Sequence, residues 1–175
     1  LVRMPDRPGD AVTATPALTN VMNHFEDAEF VLVGSATVAR MFRRHPRVRA
    51  AVPDKTGNHA FHAAAMAAFG RRLANRHGPF LFSWTFHDGL DSRLLLAAAG
   101  ATWRVGRRCG HADLLLTDAI TCNPEAHPAK CYNRIVNRFL GTSYPTGPAR
   151  LAIDAVHVYP RRTLGDKLRD RAHRQ

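Results

Sequence analysis

The chain has 175 residues, 45% of them hydrophobic, which is enough for one domain with a sizeable buried core. Its longest strongly apolar stretch, residues 94–101, is far short of the roughly 20 residues that a membrane span needs, and no signal-peptide pattern opens the sequence, so we expect a cytoplasmic protein. The net charge of +11, carried by 22 arginines against three lysines, indicates an anionic partner, unless a biased composition has placed these arginines on solvated helix faces.

The first half of the sequence alternates strand and helix patterns. Residues 1–4 resemble the end of a first strand, so we expect residues upstream of them to be missing. After a turn over residues 5–10, apolar side chains recur at helical spacing: Leu18, Val21, Met22 and Phe25. This helix begins either with Thr15 as N-cap and Pro16 in its first turn, or at Asp10, in which case Pro16 kinks it. Strands over residues 29–34 and 48–52, separated by a helix over residues 37–44, follow.

The alternation continues through the second half. We predict helices over residues 59–75, 92–99 and 129–140, the last two closed by Gly100 and Gly141, and strands over residues 79–84 and 102–105. Residues 114–116 and a loop to His127 lie between the last of these strands and the last helix. Such regular alternation implies right-handed crossovers, so the fold class is α/β, a Rossmann-like open parallel sheet with helices on both faces.

The cysteines and histidines indicate no metal site. The three cysteines are odd in number and lack a CxxC spacing, which argues against a disulfide framework and a cysteine zinc site and favours free thiols. His59 and His62 share a predicted helix face, but no carboxylate or cysteine nearby completes a ligand set.

The turn after the first strand is the position where a sheet of this kind binds ligands. Gly9 there lets the backbone approach a ligand closely, and Asp10 either caps helix amides, which is the commoner role, or faces outward as a base. The turn lacks the GxGxxG pattern of dinucleotide-binding sites.

Residues 4–18, MPDRPGDAVTATPAL, resemble the opening of the ADP-heptose:lipopolysaccharide heptosyltransferases, glycosyltransferase family 9, in which a first strand runs into a Gly-Asp-x-x-x-x-x-Pro-x-Leu pattern. Further similar segments follow in the family's order up to residue 141: residues 25–29, 45–48, 99–106, 114–118 and 127–141.

The resemblance implies a GT-B fold, in which two Rossmann-like domains face each other across a cleft. This chain would be the N-terminal, acceptor-side half, over residues 1–141. Asp10 would be the general base that deprotonates the acceptor hydroxyl as it attacks the heptose carbon, with ADP-heptose as the donor substrate and no cofactor. The anionic lipopolysaccharide-core acceptor would be held by Gly9 and by four basic side chains: Lys55, Arg71, Arg72 and Arg76. The protein would also make peripheral contact with the inner membrane.

For residues 142–175 we predict a loop, one further strand over residues 151–159 and a basic tail that is helical or frayed. They contain no glycine-rich donor-binding motif, so the C-terminal donor domain is expected to be absent and the chain to be inactive alone. Two alternatives remain. One is a non-catalytic basic module that binds nucleic acid or an anionic glycolipid through clustered arginines and exposed aromatic side chains, whereas Trp84, Phe86 and Trp103 are here expected in the core. The other is an inactive remnant.

Overall fold

A computed structural model of the chain describes residues 1–56 and 62–150. Six parallel strands form one sheet in the order β3-β2-β1-β4-β5-β6. The strands are β1 (Val2–Arg3), β2 (Phe30–Gly34), β3 (Val48–Pro53), β4 (Phe82–Thr85), β5 (Trp103–Arg107) and β6 (Asp118–Ile120). The helices are α1 (Pro8–Thr13), α2 (Thr15–His24), α3 (Ala36–Phe42), α4 (His62–His77), α5 (Leu90–Ala98) and α6 (Pro128–Leu140), with a short 3-10 helix at His111–Leu115. The predicted Rossmann-like fold class is confirmed.

Helices cover both faces of the sheet because alternate strand residues point to opposite sides. In β2, Phe30 and Leu32 pack into a core with α1, α2, α3 and α6, whereas Val31 and Val33 pack against α4 and α5. All five β2 residues are buried, which explains the continuous apolar run in the sequence. No helix within the described ranges is long and apolar enough to cross a membrane.

The helical segment after the first turn divides at Ala14. The helix begins at Pro8, ahead of both predicted starts, and Ala14 rather than Thr15 is the N-cap of α2. Pro16 has no N–H to donate to the carbonyl of Val12, and the hydroxyl of Thr15 donates to that carbonyl instead, at 2.7 Å. The interruption expected from Pro16 is therefore present, and α1 becomes a separate short helix.

Several predicted boundaries are wrong. The strand expected over residues 79–84 begins only at Phe82, and the loop expected between residue 116 and His127 includes β6. Three half-buried residues in β6 are too few for a recognisable alternation. Trp84 and Phe86 lie in the core as expected, whereas Trp103 is 43% exposed because it opens β5 at the rim of the sheet, against Phe139. The strand and tail predicted within residues 151–175 lie outside the described residues.

Gly70 sets the close approach of α4 to α5. A Cβ atom added there would lie 2.5 Å from the carbonyl oxygen of Leu95 and 2.9 Å from the Cβ of Ala98. Gly70→Ala is therefore expected to lower the free energy of unfolding by about 2 kcal/mol, because overpacking outweighs the helix-propensity gain of alanine. Urea denaturation checks this, with Gly9→Ala as the control, since a Cβ at Gly9 meets no atom within 4 Å. Equal stability of the two variants would contradict the close packing.

Candidate functional site

The strand order reverses between β1 and β4, which opens a crevice at the carboxyl ends of these two neighbouring strands. The chain leaves β1 through the turn before α1 and leaves β4 through the turn before α5. The amide of Phe86 donates to the carbonyl of Arg3 at 2.9 Å, so the β4 pairing extends to the start of both turns. The predicted ligand-binding turn therefore faces a second turn that follows β4.

A buried arginine holds the β1 turn in shape. The side chain of Arg3 is 1% exposed and donates two hydrogen bonds to the carboxylate of Asp6, at 2.9 and 3.1 Å. It donates a third to Asp54, at the end of β3, at 3.2 Å. The hydroxyl of Ser35 donates to the Asp6 carbonyl at 2.7 Å. Two carboxylates thus compensate the buried guanidinium charge, and the turn is fixed to two further strand ends.

His87 connects the β4 turn to the β1 turn. Its Nε2 lies 3.5 Å from a carboxylate oxygen of Asp6, and its Nδ1 lies 2.8 Å from the hydroxyl of Ser92 in α5. Its carbonyl accepts a hydrogen bond from the hydroxyl of Thr85 at 2.6 Å. The imidazole therefore lies between both turns, and Arg3, Asp6 and His87 together position the start of α1.

Asp10 lies in the first turn of α1, exposed to solvent. Its carboxylate makes no hydrogen bond or ion pair to any described residue, so the capping role considered from the sequence is not the one adopted here. The negative charge of Asp10 contributes to the raised pKa of the Tyr132 phenol in α6. Gly9 is also exposed, and the space above its backbone is open. Asp10 and Gly9 are therefore accessible to a ligand at the edge of the crevice.

A cavity of about 150 Å³ lies between the β4 turn, β5 and α6, and its lining includes Asp88, Arg107 and Tyr132. Arg107 and Asp88 form an ion pair at 2.7 Å in which both side chains are partly exposed. Burial, followed by the charges of Asp10 and Asp88, raises the pKa of Tyr132 to about 12. The phenol is therefore a neutral hydrogen-bond donor at physiological pH.

Tyr132 is expected to titrate near pH 12, and Asp10→Asn is expected to lower this pKa because one nearby negative charge is removed. Since the folded-state pKa is raised from 10.0, the contribution of Tyr132 to stability is complete below about pH 10 and is lost as the pH rises to about 12. The shift is measured by phenolate absorbance as the pH is raised, in wild type and in Asp10→Asn. The chain has three tyrosines, and the variant Tyr132→Phe identifies the signal of Tyr132 among them. An unchanged Tyr132 pKa in Asp10→Asn would contradict the proximity of the two side chains.

The four basic residues nominated from the sequence do not lie with Asp10. Lys55 is exposed after β3, at the same edge of the sheet but two strands away from β1. The other three are exposed on the C-terminal half of α4: Arg71, Arg72 and Arg76. Arg71 lies about 13 Å along the helix from His62. The C-terminal end of α4 leads to the start of β4, at the opposite edge of the sheet from the crevice.

Five side chains at the crevice were not nominated from the sequence: Arg3, Asp6, His87, Arg107 and Tyr132. Three of them could have been found, since Asp6, His87 and Arg107 stand at or just after predicted strand ends, where a parallel sheet places its ligand-binding residues. His62, which the sequence analysis considered with His59 and did not assign to a metal site, lies 3.6 Å from Asp91. His59 lies outside the described residues, and the described ones contain no cluster of three metal-ligating side chains.

The strand order and crevice define a Rossmann-like domain, the unit from which GT-B glycosyltransferases are built. The fold is similar to the crystal structure of a glycosyltransferase family 9 protein from Veillonella parvula, with a TM-score of 0.71 and 18% identity, over 87% of this chain and 43% of that one. It is also similar to E. coli ADP-heptose lipopolysaccharide heptosyltransferase II, with a TM-score of 0.69 and 18% identity, over 89% of this chain and 46% of that one.

In sequence, the chain is 35% identical over 95 residues to lipooligosaccharide heptosyltransferase 2 of Campylobacter jejuni subsp. jejuni serotype O:6. These residues are 54% of this chain and 28% of that protein. No family model matches the chain. The sequence similarity and the structural similarity both confirm the resemblance to the heptosyltransferases that the sequence analysis stated. The chain spans less than half the length of the two solved structures, and its alignment spans about a quarter of the curated relative.

Proposed function

We propose that this chain is the N-terminal, acceptor-side half of a glycosyltransferase that transfers heptose from ADP-heptose to a lipid-linked sugar acceptor of the lipopolysaccharide core. The single observation that carries the proposal is the position of Asp10. Its exposed carboxylate lies in the first turn of α1, at the edge of the crevice where the strand order reverses, and α1 follows the turn that Arg3 fixes through Asp6. The names of the similar proteins supply the donor and the type of reaction.

In the proposed reaction, the carboxylate of Asp10 accepts the proton of an acceptor hydroxyl while the hydroxyl oxygen attacks the anomeric carbon of heptose. The carbon–oxygen bond to ADP breaks, and ADP leaves with the bonding electrons. A general base must reach the hydroxyl directly and must not be neutralised by a fixed cation. The absence of a hydrogen bond or ion pair to Asp10 within the described part of the chain suits this role, and the neutral Tyr132 phenol nearby can donate to the acceptor.

Transfer also requires a group that binds the donor opposite Asp10, because donor and acceptor must be held in attack geometry. We propose that a second α/β domain, not included in these 175 residues, binds ADP-heptose and faces the crevice. Gly9 and Lys55, at the crevice edge of the sheet, remain nominated acceptor contacts, and Gly9 lies nearest to Asp10 in sequence. The nominated arginines of α4 lie toward the opposite edge. Peripheral contact with an anionic membrane surface, through the net charge of +11, belongs to the same proposal.

The test uses the product of the complete reading frame that encodes these residues, purified and incubated with ADP-heptose and a core-truncated lipopolysaccharide. We expect release of ADP and a mass increase of the acceptor by one heptose, and no transfer by the 175-residue chain alone. If the complete product instead binds nucleic acid, with an affinity that falls steeply with salt, and transfers no sugar, the alternative of a basic binding module replaces this proposal. Absence of both activities leaves the inactive remnant.

A further inference from the structure

Two cysteines lie together where α6 begins. Cys122 follows β6, and Cys131 is in the first turns of α6. The thiol of Cys122 lies 3.6 Å from the carbonyl oxygen of Cys131, and both side chains pack at the edge of the same hydrophobic core. Both are free thiols in this structure. Two thiols that come from different elements therefore share one site.

The surroundings make the two thiols unequal. Interaction with the Cys122 side chain and the positive charge of Arg107 lower the pKa of Cys131, against the opposing effect of burial. The pKa of Cys122 is raised by its interaction with the Cys131 side chain and by burial. Cys131 is therefore the more acidic of the two thiols and the one that forms the nucleophilic thiolate more readily.

Small solutes can reach the pair although Cys131 is only 6% exposed. Cys131 lines the 150 Å³ cavity that also contains Arg107 and Tyr132. Cys122 and Cys131 together line a second, open groove of about 810 Å³ along α6. Hydrogen peroxide is small enough to enter both spaces.

We propose that Cys122 and Cys131 are an oxidative modification site, which hydrogen peroxide converts into a reversible intramolecular disulfide. The Cys131 thiolate attacks one peroxide oxygen, the O–O bond breaks, and the products are a sulfenic acid on Cys131 and, after protonation, water. The sulfur of Cys122 then attacks the Cys131 sulfur, and a second water leaves with the Cys122 proton. Two thiols are oxidised, one peroxide is reduced to two waters, and a dithiol reductant restores the pair.

The disulfide would tie the start of α6 to the loop after β6. Tyr132 is the residue next to Cys131, and both line the 150 Å³ cavity, so oxidation would fix one wall of that cavity. The modification itself depends only on the two sulfurs and their surroundings, and its test is independent of whether the chain takes part in sugar transfer.

Trypsin separates the two cysteines, because it cleaves after Lys130 and leaves Cys122 in the peptide of residues 109–130 and Cys131 in that of residues 131–134. The native chain is treated with hydrogen peroxide, blocked with a maleimide, digested without reductant and analysed by mass spectrometry. Cys109 shares the first peptide, so Cys109→Ser and Cys122→Ser form the matched pair of variants. We expect a linkage of the two peptides in wild type and Cys109→Ser, lost in Cys122→Ser and reversed by dithiothreitol.

In Cys122→Ser, the sulfenic acid on Cys131 has no resolving thiol, and we expect a sulfenic-acid reagent to label residue 131. Circular dichroism of each variant shows whether it is folded. A linkage that persists in Cys122→Ser and disappears in Cys109→Ser would overturn the proposal, because Cys109 would then be the partner. The proposal would also be overturned if Cys122 and Cys131 stay free in a folded wild-type chain although the exposed Cys109 has been oxidised.

Discussion

Replacement of Asp10 by asparagine is expected to lower the rate of heptose transfer by about a hundredfold to ten-thousandfold in the complete enzyme, which is the range that a positioned general base contributes. The amide keeps the size of the side chain but cannot accept the acceptor proton. The carboxylate makes no hydrogen bond to other described residues, so its removal leaves no partner unsatisfied. The loss should therefore appear in kcat, with little change in acceptor KM or in stability. Steady-state kinetics with ADP-heptose and core-truncated lipopolysaccharide measure both parameters.

Asp27→Asn is the matched control for this substitution. Asp27 is an exposed aspartate that precedes β2, at the opposite edge of the sheet from Asp10, and its replacement changes the net charge by the same amount. We expect wild-type kcat in Asp27→Asn. If Asp10→Asn also retains kcat, Asp10 is not the base, and the family resemblance at the Gly-Asp turn does not extend to its chemistry.

Replacement of Arg3 by methionine is expected to lower the free energy of unfolding by about 3 kcal/mol or more, because the carboxylate of Asp54, 12% exposed, would lose the buried cation that compensates its charge. Methionine fills much of the same volume, so the loss reports mainly the charge and its hydrogen bonds. Urea denaturation at neutral pH measures it. The turn that carries Asp10 should loosen together with the cluster, because Asp6 is fixed mainly by Arg3.

The control is Arg49→Met, which removes an exposed ion pair with Glu29 in which the two side chains are 47% and 69% accessible. Exposed pairs of this kind contribute less than about 1 kcal/mol. Both substitutions remove one arginine charge, so the difference between their losses in free energy of unfolding reports the effect of burying the ion pair. A loss in Arg3→Met as small as that in Arg49→Met would show that the buried cluster does not stabilise the fold.

The parts of the fold that were predictable are those with a strong local pattern. Strand β2 is buried on both faces and is therefore a continuous apolar run, and α6 ends where Gly141 adopts the left-handed conformation with φ of 66°. Strand β6 and the start of β4 depend on pairing with neighbours that are distant in sequence, and no local signal marks them. Trp103 was expected in the core because its residue type and strand context favour burial, but its place at the end of β5 exposes it.

The site was predictable only in part, for a related reason. Gly9 and Asp10 stand in a local motif that can be recognised from a resemblance. The side chains that support the motif come from three segments, and only the sheet order brings Asp54 and His87 to the turn at residue 6. The arginines of α4 were nominated for their charge, which carries no information about which end of the helix faces the crevice.

The central position of β1 has a consequence for the order in which the protein assembles. Val2 and Arg3 pair on one side with Leu32 and Val33, and on the other side with Trp84 and Thr85, about eighty residues further along the chain. Contacts so distant in sequence form late, since the entropy of closing a long loop must be met before they stabilise anything. During synthesis, the edge of β1 that pairs with β4 therefore stays unpaired until β4 has left the ribosome. The turn that carries Asp10 receives its contact to His87 only at that stage, so the site is completed as the sheet itself closes.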